Sequence, residues 1–290
     1  GGWEKSENVK HFLSYAEKIT NELGDLIDIV CTINEANLTA CFAHSFQSYP
    51  EHGMKAIMPF IKEAAEECGS TLENFGPFLF GHPFKIRDCM MEAHVKSVPI
   101  IKSILKNNQP VGVTLSIMDY QAAEGGDKMR DRAYAESVDC CLDQIVNDDF
   151  VGVQMYTRHT YGPDGIIKPK ADDPNMLVMG YEYYPESLEN VVRYVSSKIK
   201  TPIMITENGI GTDDDNQRIE YLTTALQGLQ NCLDDGIDVR GYFCWSLLDN
   251  FEWLFGYKPR FGLVEVNRET LDRTAKESFK FFKDVIDQSS

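Results

Sequence analysis

The sequence predicts an α/β fold of the (β/α)8 barrel type, incomplete, with about five βα units in a single domain over residues 1–290. Three observations carry this. Strand-like and helix-like patterns alternate along the chain, and most of the strands are near-continuous apolar runs, as expected of parallel strands covered on both faces. Polar and aromatic residues collect where strands end, at Asn34, Glu35, Tyr156, Glu207 and Trp245, and barrel enzymes build their sites at that face. No GxGxxG or P-loop segment follows any strand, which removes the main support for a doubly wound nucleotide-binding sheet. A closed barrel needs eight strands, and five are visible.

Taken in order, Val9, Phe12, Leu13, Ala16, Ile19 and Leu23 mark one face of a first helix. The run from Leu26 to Ile33 reads as the first strand. A helix follows around Met54–Glu67, and another from Arg87 to Leu105 with Met91, Val95, Val98 and Ile101 inward. Val111–Ile117 is the second strand and Ala133–Val146 the next helix. Phe150–Tyr156 is the third strand, and the Ser187–Ile199 helix leads to the fourth, Pro202–Glu207. The amphipathic helix Arg218–Leu233 precedes a fifth strand, Val239–Leu247, and a last helix covers Thr274–Ile286. No repeat, low-complexity tract or linker interrupts this series.

Composition narrows the chemistry. Apolar residues make up 43% and charged residues 25%, an ordinary globular balance. A formal charge of −17 repels nucleic acid and anionic membranes, so neither is an expected partner. No apolar run approaches the ~20 residues of a membrane span. The eight cysteines form no CxxC pair and no zinc spacing, and read as buried free thiols of a cytoplasmic protein. His44, His82, His94 and His159 fall in no metal-ligand pattern, so no metal and no cofactor are expected. Asp213, Asp214 and Asp215 read as a solvated loop and helix start.

Two glutamates each close a buried strand, in Thr32-Ile33-Asn34-Glu35 and in Met204-Ile205-Thr206-Glu207-Asn208-Gly209. In one parallel barrel both carboxyls emerge at the same face, and a converging carboxylate pair is the arrangement that cleaves glycosidic bonds. These two segments and Trp245-Ser246-Leu247-Leu248-Asp249-Asn250-Phe251-Glu252-Trp253 resemble three signatures of the retaining β-glucosidases of glycoside hydrolase family one. Met179-Gly180-Tyr181-Glu182-Tyr183-Tyr184-Pro185-Glu186, Tyr156-Thr157-Arg158-His159 and Arg260-Phe261-Gly262-Leu263 extend the resemblance collinearly over essentially the whole chain. The resemblance implies a partial-barrel catalytic domain without cofactor. Glu207 would be the nucleophile that forms a covalent glycosyl-enzyme, and Glu35 the acid that protonates the leaving oxygen and then the base that activates water.

The same resemblance gives Asn34 the sugar 2-hydroxyl, Tyr156 the nucleophile's carboxylate, Trp245 a stacking platform, and Glu252 and Trp253 the distal hydroxyls, with Phe261 lining that end. On the residues alone, Asn34 also reads as a strand-end cap, and Tyr156 and Phe261 as core aromatics. A carboxylate at Glu252 would repel a 6-phosphate, so an unphosphorylated β-glucoside or related β-glycoside is the expected substrate. Ala36 replaces the proline usual after the acid/base, which loses a fixed φ and is expected to loosen Glu35. Gln154 and Met155 stand where asparagine and tyrosine are usual.

In the family, Gly1-Gly2-Trp3 would follow the third barrel strand. Strands one to three, with a glutamine, a histidine and an arginine of the site, lie outside the resemblance. Three readings follow: a piece of a longer enzyme, a short form whose open barrel edges are covered by a homo-oligomer or a complementing chain, or a silent remnant. The alternative to a glycosidase is thus a catalytically silent partial barrel that binds carbohydrate or assembles with a partner.

Overall fold

The computed structural model describes residues 2–46, 52–77, 81–170 and 173–289. Five parallel strands form one curled sheet in the order β1 (Val30–Cys31), β2 (Val111–Ser116), β4 (Phe150–Gln154), β7 (Ile203–Asn208) and β8 (Val239–Cys244). Pairing is in parallel register throughout, with Val30 opposite Val111, Gly112 opposite Phe150, Val151 opposite Ile203 and Asn208 opposite Cys244. The sheet curls as an incomplete (β/α)8 barrel, so the predicted five-strand architecture stands.

Helices α1 (Val9–Leu23), α4 (Pro83–Ile104), α7 (Ser187–Lys198), α8 (Asp215–Asp234) and α9 (Glu277–Ser289) form the outer layer, with α2 (Leu38–Phe46) and α3 (His52–Glu67) following β1. β2 and β4 are buried at every residue because each has a strand on both sides and helices behind it. Leu188, Val191, Val192 and Val195 recur at helical spacing on α7 and seal it onto the sheet with Ile205, Tyr221 and Leu222. α8 starts cleanly because the Asp214 carboxylate accepts from the backbone amides of Asn216 and Gln217. The triple-aspartate segment is therefore a helix cap, as expected.

Several expectations are corrected. Leu26–Ile33 is not a buried strand: only Val30–Cys31 pairs, Leu26 closes a short 3-10 turn, and Leu26 and Ile29 are 81% and 42% exposed. Among the described residues β1 is an edge strand that pairs with β2 alone. Val95 faces solvent, whereas Met91, Val98 and Ile101 are inward as expected. The helix placed at Ala133–Val146 starts earlier, as α5 (Asp127–Tyr134). It runs through a π turn, Ala135–Asp139, into α6 (Cys140–Leu142), and Val146 is exposed. β8 stops at Cys244, and Arg273–Ala275 is a strand (β10) paired with β9 (Val264–Val266), not the start of the last helix. All eight thiols are free, but Cys31 and Cys68 are exposed and Cys140 and Cys244 half-buried, so burial holds for only half of them.

A small outer sheet joins β3 (Asp119–Ala122), β5 (Arg158–Gly162) and β6 (Gly165–Ile166). No described helix is long and apolar enough to cross a membrane.

Candidate active site

The carboxylates sit at one end of the sheet because three parallel strands deliver their last residues there. A register shift after Val153 sets Gln154 opposite Glu207, so the end of β4 presents Gln154 directly beside Glu207 on β7. Glu207 Oε2 accepts a very short hydrogen bond from the Tyr156 hydroxyl, and Oε1 accepts from Gln154 Nε2 at 2.9 Å. The same Gln154 nitrogen donates to Asn34 Oδ1 at 2.7 Å, and Thr114 Oγ1 lies 3.0 Å from that oxygen.

Asn208 and Gly209 brace this strand end from within the protein. Asn208 Nδ2 donates to the Met155 carbonyl (2.8 Å) and contacts the Tyr221 hydroxyl (2.9 Å), while its Oδ1 accepts from Tyr242 (2.8 Å). A Cβ on Gly209 would lie 1.9 Å from the Trp245 carbonyl oxygen, so β7 and β8 close together only with glycine there.

Glu35 takes a left-handed backbone conformation, φ 49°, immediately after β1. The turn is held by Thr114, whose Oγ1 accepts from the Glu35 amide (2.9 Å) and whose carbonyl accepts from the Ala36 amide (3.2 Å). The expected loosening by Ala36 is thus met by a backbone bond that proline has no N–H to make. Asn37 anchors the next turn, exchanging 2.8 Å bonds with the Ser116 amide and carbonyl and donating to the Ser137 carbonyl at 2.8 Å.

Three carboxyls share this space. Burial, then the charges of Glu207 and Glu252, push the Glu35 carboxyl up to about 8 against a partial offset from Ser116. Glu207 is raised by burial and by Glu252, opposed by the Tyr156 hydrogen bond. Glu252 is raised by burial and held down by the Trp245 side chain. Among the described residues, no ion pair to a cation includes any of the three. Burial and the neighbouring carboxyls thus favour a proton on Glu35, while a phenol and an amide donate to Glu207 and favour its charged form.

The other expected residues divide. Trp245 follows β8, its amide bound to the Asn208 carbonyl at 2.8 Å, and its side chain reaches Glu252. Phe261 is 4% exposed and packs edge-on against Tyr156 with centroids 6.0 Å apart, so it supports the phenol from behind. Trp253 stands in a short 3-10 turn at 80% exposure and is not gathered to the carboxylates. His159 is on β5, where burial lowers it to about 4 and keeps it neutral. No described group of histidine, cysteine, aspartate or glutamate has metal-binding geometry.

Sequence reading passed over Thr114, Ser116 and Gln154 as site residues. The signal was present: Thr114 with Ser116, and Gln154 with Tyr156, are polar pairs at i, i+2 in otherwise apolar strands, which puts each pair on one face.

The sequence model of glycosyl hydrolase family 1 matches residues 1–161 and 150–290. A bifunctional β-D-glucosidase/β-D-fucosidase of Bifidobacterium breve is 41% identical over 329 residues, covering 99% of this chain and 70% of that protein. β-Glucosidase A of Acetivibrio thermocellus is 26% identical, with 99% and 70% covered. Among solved structures, β-glycosidase BGL167 superposes with a TM-score of 0.89 at 37% identity, covering 100% of this chain and 69% of that one. The apo structure of β-glucosidase 1317 gives 0.87 at 33% identity, with 98% and 69% covered.

Proposed function

Because the chain belongs to glycosyl hydrolase family 1, we propose that it hydrolyses unphosphorylated β-glucosides or related β-glycosides with retention, using Glu207 and Glu35. The observation that carries this reading is the unequal pair: Glu35 raised to about 8 beside a Glu207 whose carboxylate accepts from Tyr156 and Gln154. Glu207 attacks the anomeric carbon as the glycosidic C–O bond breaks, and Glu35 gives its proton to the departing oxygen. Glu35, now ionised, takes a proton from water, whose oxygen attacks the anomeric carbon and releases Glu207. Asn34 meets the sugar 2-hydroxyl, and Trp245 stacks on an apolar sugar face while Glu252 accepts from distal hydroxyls. The Glu252 carboxylate disfavours a 6-phosphate by like-charge repulsion.

Release of the chromogenic phenol from an aryl β-glucoside by the 290-residue chain, beside Glu207→Gln, tests it. Turnover that falls at least about a thousandfold in the variant is expected. No turnover by the unmutated chain sinks the reading.

A second reading, a silent carbohydrate-binding partial barrel that assembles with another chain, is favoured by one observation. Among the described residues β1 and β8 each pair with a strand on one side only, and Phe243, Leu247, Phe251 and Leu254 near β8 are more than half exposed. A monomeric solution mass with full turnover would count against it.

A further inference from the structure

Gln154 is 2% exposed and takes part in none of the steps above, yet it touches both ends of the machinery. Its Nε2 faces three oxygens: Asn34 Oδ1 at 2.7 Å, Glu207 Oε1 at 2.9 Å and Thr114 Oγ1 at 3.4 Å. The first two contacts are the strong ones, and they use both hydrogens of the amide. The orientation of the carboxamide is therefore forced, since its oxygen in that place would oppose a carboxylate and a carbonyl oxygen. The consequence is a buried Oε1 with no hydrogen-bond partner among the described residues. An apolar side chain of the same length would avoid that orphan acceptor, so the position is a local cost to folding. Such costs are retained where the other end of the group is needed.

Asn34 explains the need. Its Oδ1 is occupied by Gln154 and Thr114, so its own amide is turned with Nδ2 outward, and no described protein acceptor takes that nitrogen. A sugar oxygen arriving over the site thus meets a donor, not an acceptor.

Resting on the glycosidase reading, we propose that Gln154 is a positioning residue that holds Asn34 donor-outward and Glu207 Oε1 in place as one unit. The grip on the sugar 2-oxygen and the aim of the nucleophile are coupled through a single carboxamide. The site then recognises glycosides whose 2-position carries an oxygen acceptor, and loses both recognition and rate together when the amide is removed. Tyr156, Glu35 and Glu252 also face Glu207, and all three side chains are retained in variants at Gln154.

Gln154→Met keeps length and volume while removing the amide, and Gln154→Asn keeps the amide but shortens its reach. Both are measured on the full chain by two readouts. The first is the titration of Glu207 by carbon-13 NMR of glutamate-labelled protein, assigned with Glu207→Gln. Loss of one charge-assisted bond is expected to move it up by about one pH unit or more in both variants. The second is kcat on an aryl β-glucoside and on its 2-deoxy analogue. The 2-hydroxy substrate is expected to lose about 10–100-fold in kcat with a smaller change in KM, and the advantage of the 2-hydroxyl to shrink about tenfold. Gln154→Met is expected to melt no lower than the parent.

An unmoved Glu207 titration in both variants overturns the proposal whatever the kinetics show. An unchanged 2-hydroxy to 2-deoxy ratio overturns the coupling to Asn34. If the unmutated chain turns over neither substrate, the glycosidase reading fails, while the titration still decides whether Gln154 holds Glu207.

Discussion

Replacing Glu35 by glutamine isolates the largest electrostatic load in the site. The Glu35 carboxyl rises from an ordinary 4.5 to about 8, first through burial, then through Glu207. The sign follows from proton linkage. Below 4.5 both folded and unfolded Glu35 are protonated, and the raised value costs nothing. Between 4.5 and about 8 the folded state keeps a proton that the unfolded chain has released, so stability falls as pH rises through this window.

At ~1.36 kcal/mol per unit, a shift of this size has a ceiling of about 5 kcal/mol. Coupling to Glu207 spreads the titration over the pair, so we expect roughly 2–5 kcal/mol. Glutamine keeps the shape and cannot ionise. The stability difference between Glu35→Gln and the parent, from urea unfolding across pH 4.5 to 8, should therefore widen steadily in favour of the variant. A difference that stays flat refutes the claim that Glu35 is held protonated. In kinetics the same proton appears as a basic limb: kcat/KM declines above about 8 as the acid is lost.

Tyr156→Phe removes the hydroxyl on Glu207 Oε2. It should lower kcat about 10–100-fold and move the acid limb upward, read from a pH–rate profile. Gly209→Ala drives a methyl against the Trp245 carbonyl. A loss of roughly 1–3 kcal/mol in urea unfolding is expected, with activity falling alongside because Glu207 sits two residues earlier. Arg218 is 2% exposed and binds Asp215 together with the carbonyls of Thr212 and Arg260. Arg218→Ala removes these bonds while Ser278 still serves Asp215 and the Thr212 amide still serves the Arg260 carbonyl, and it should cost about 1–3 kcal/mol by the same measurement. In thiol labelling of the native protein, Cys31 and Cys68 should react first, and Cys41, Cys89, Cys141 and Cys232 only after unfolding.

The sequence by itself determined the family and most of the scaffold. Glu35 and Glu207 were legible because each closes an apolar run and sits in a distinctive local context. The central strands were legible because burial on both faces leaves an unbroken apolar string. Tertiary structure alone decided the rest. The first strand shrank to Val30–Cys31, because a strand with one neighbour cannot bury the apolar residues that flank it. Which carboxyl holds the proton depends on burial and on charges delivered from β7 and from the loop after β8, far apart in sequence. Gln154 looked like a departure from a pattern, and became a bridge only when β4 paired with β7 and brought Asn34 and Glu207 within reach of one amide. Local patterns name the residues that carry charge, but hydrogen bonds between strands decide which state each of them is in.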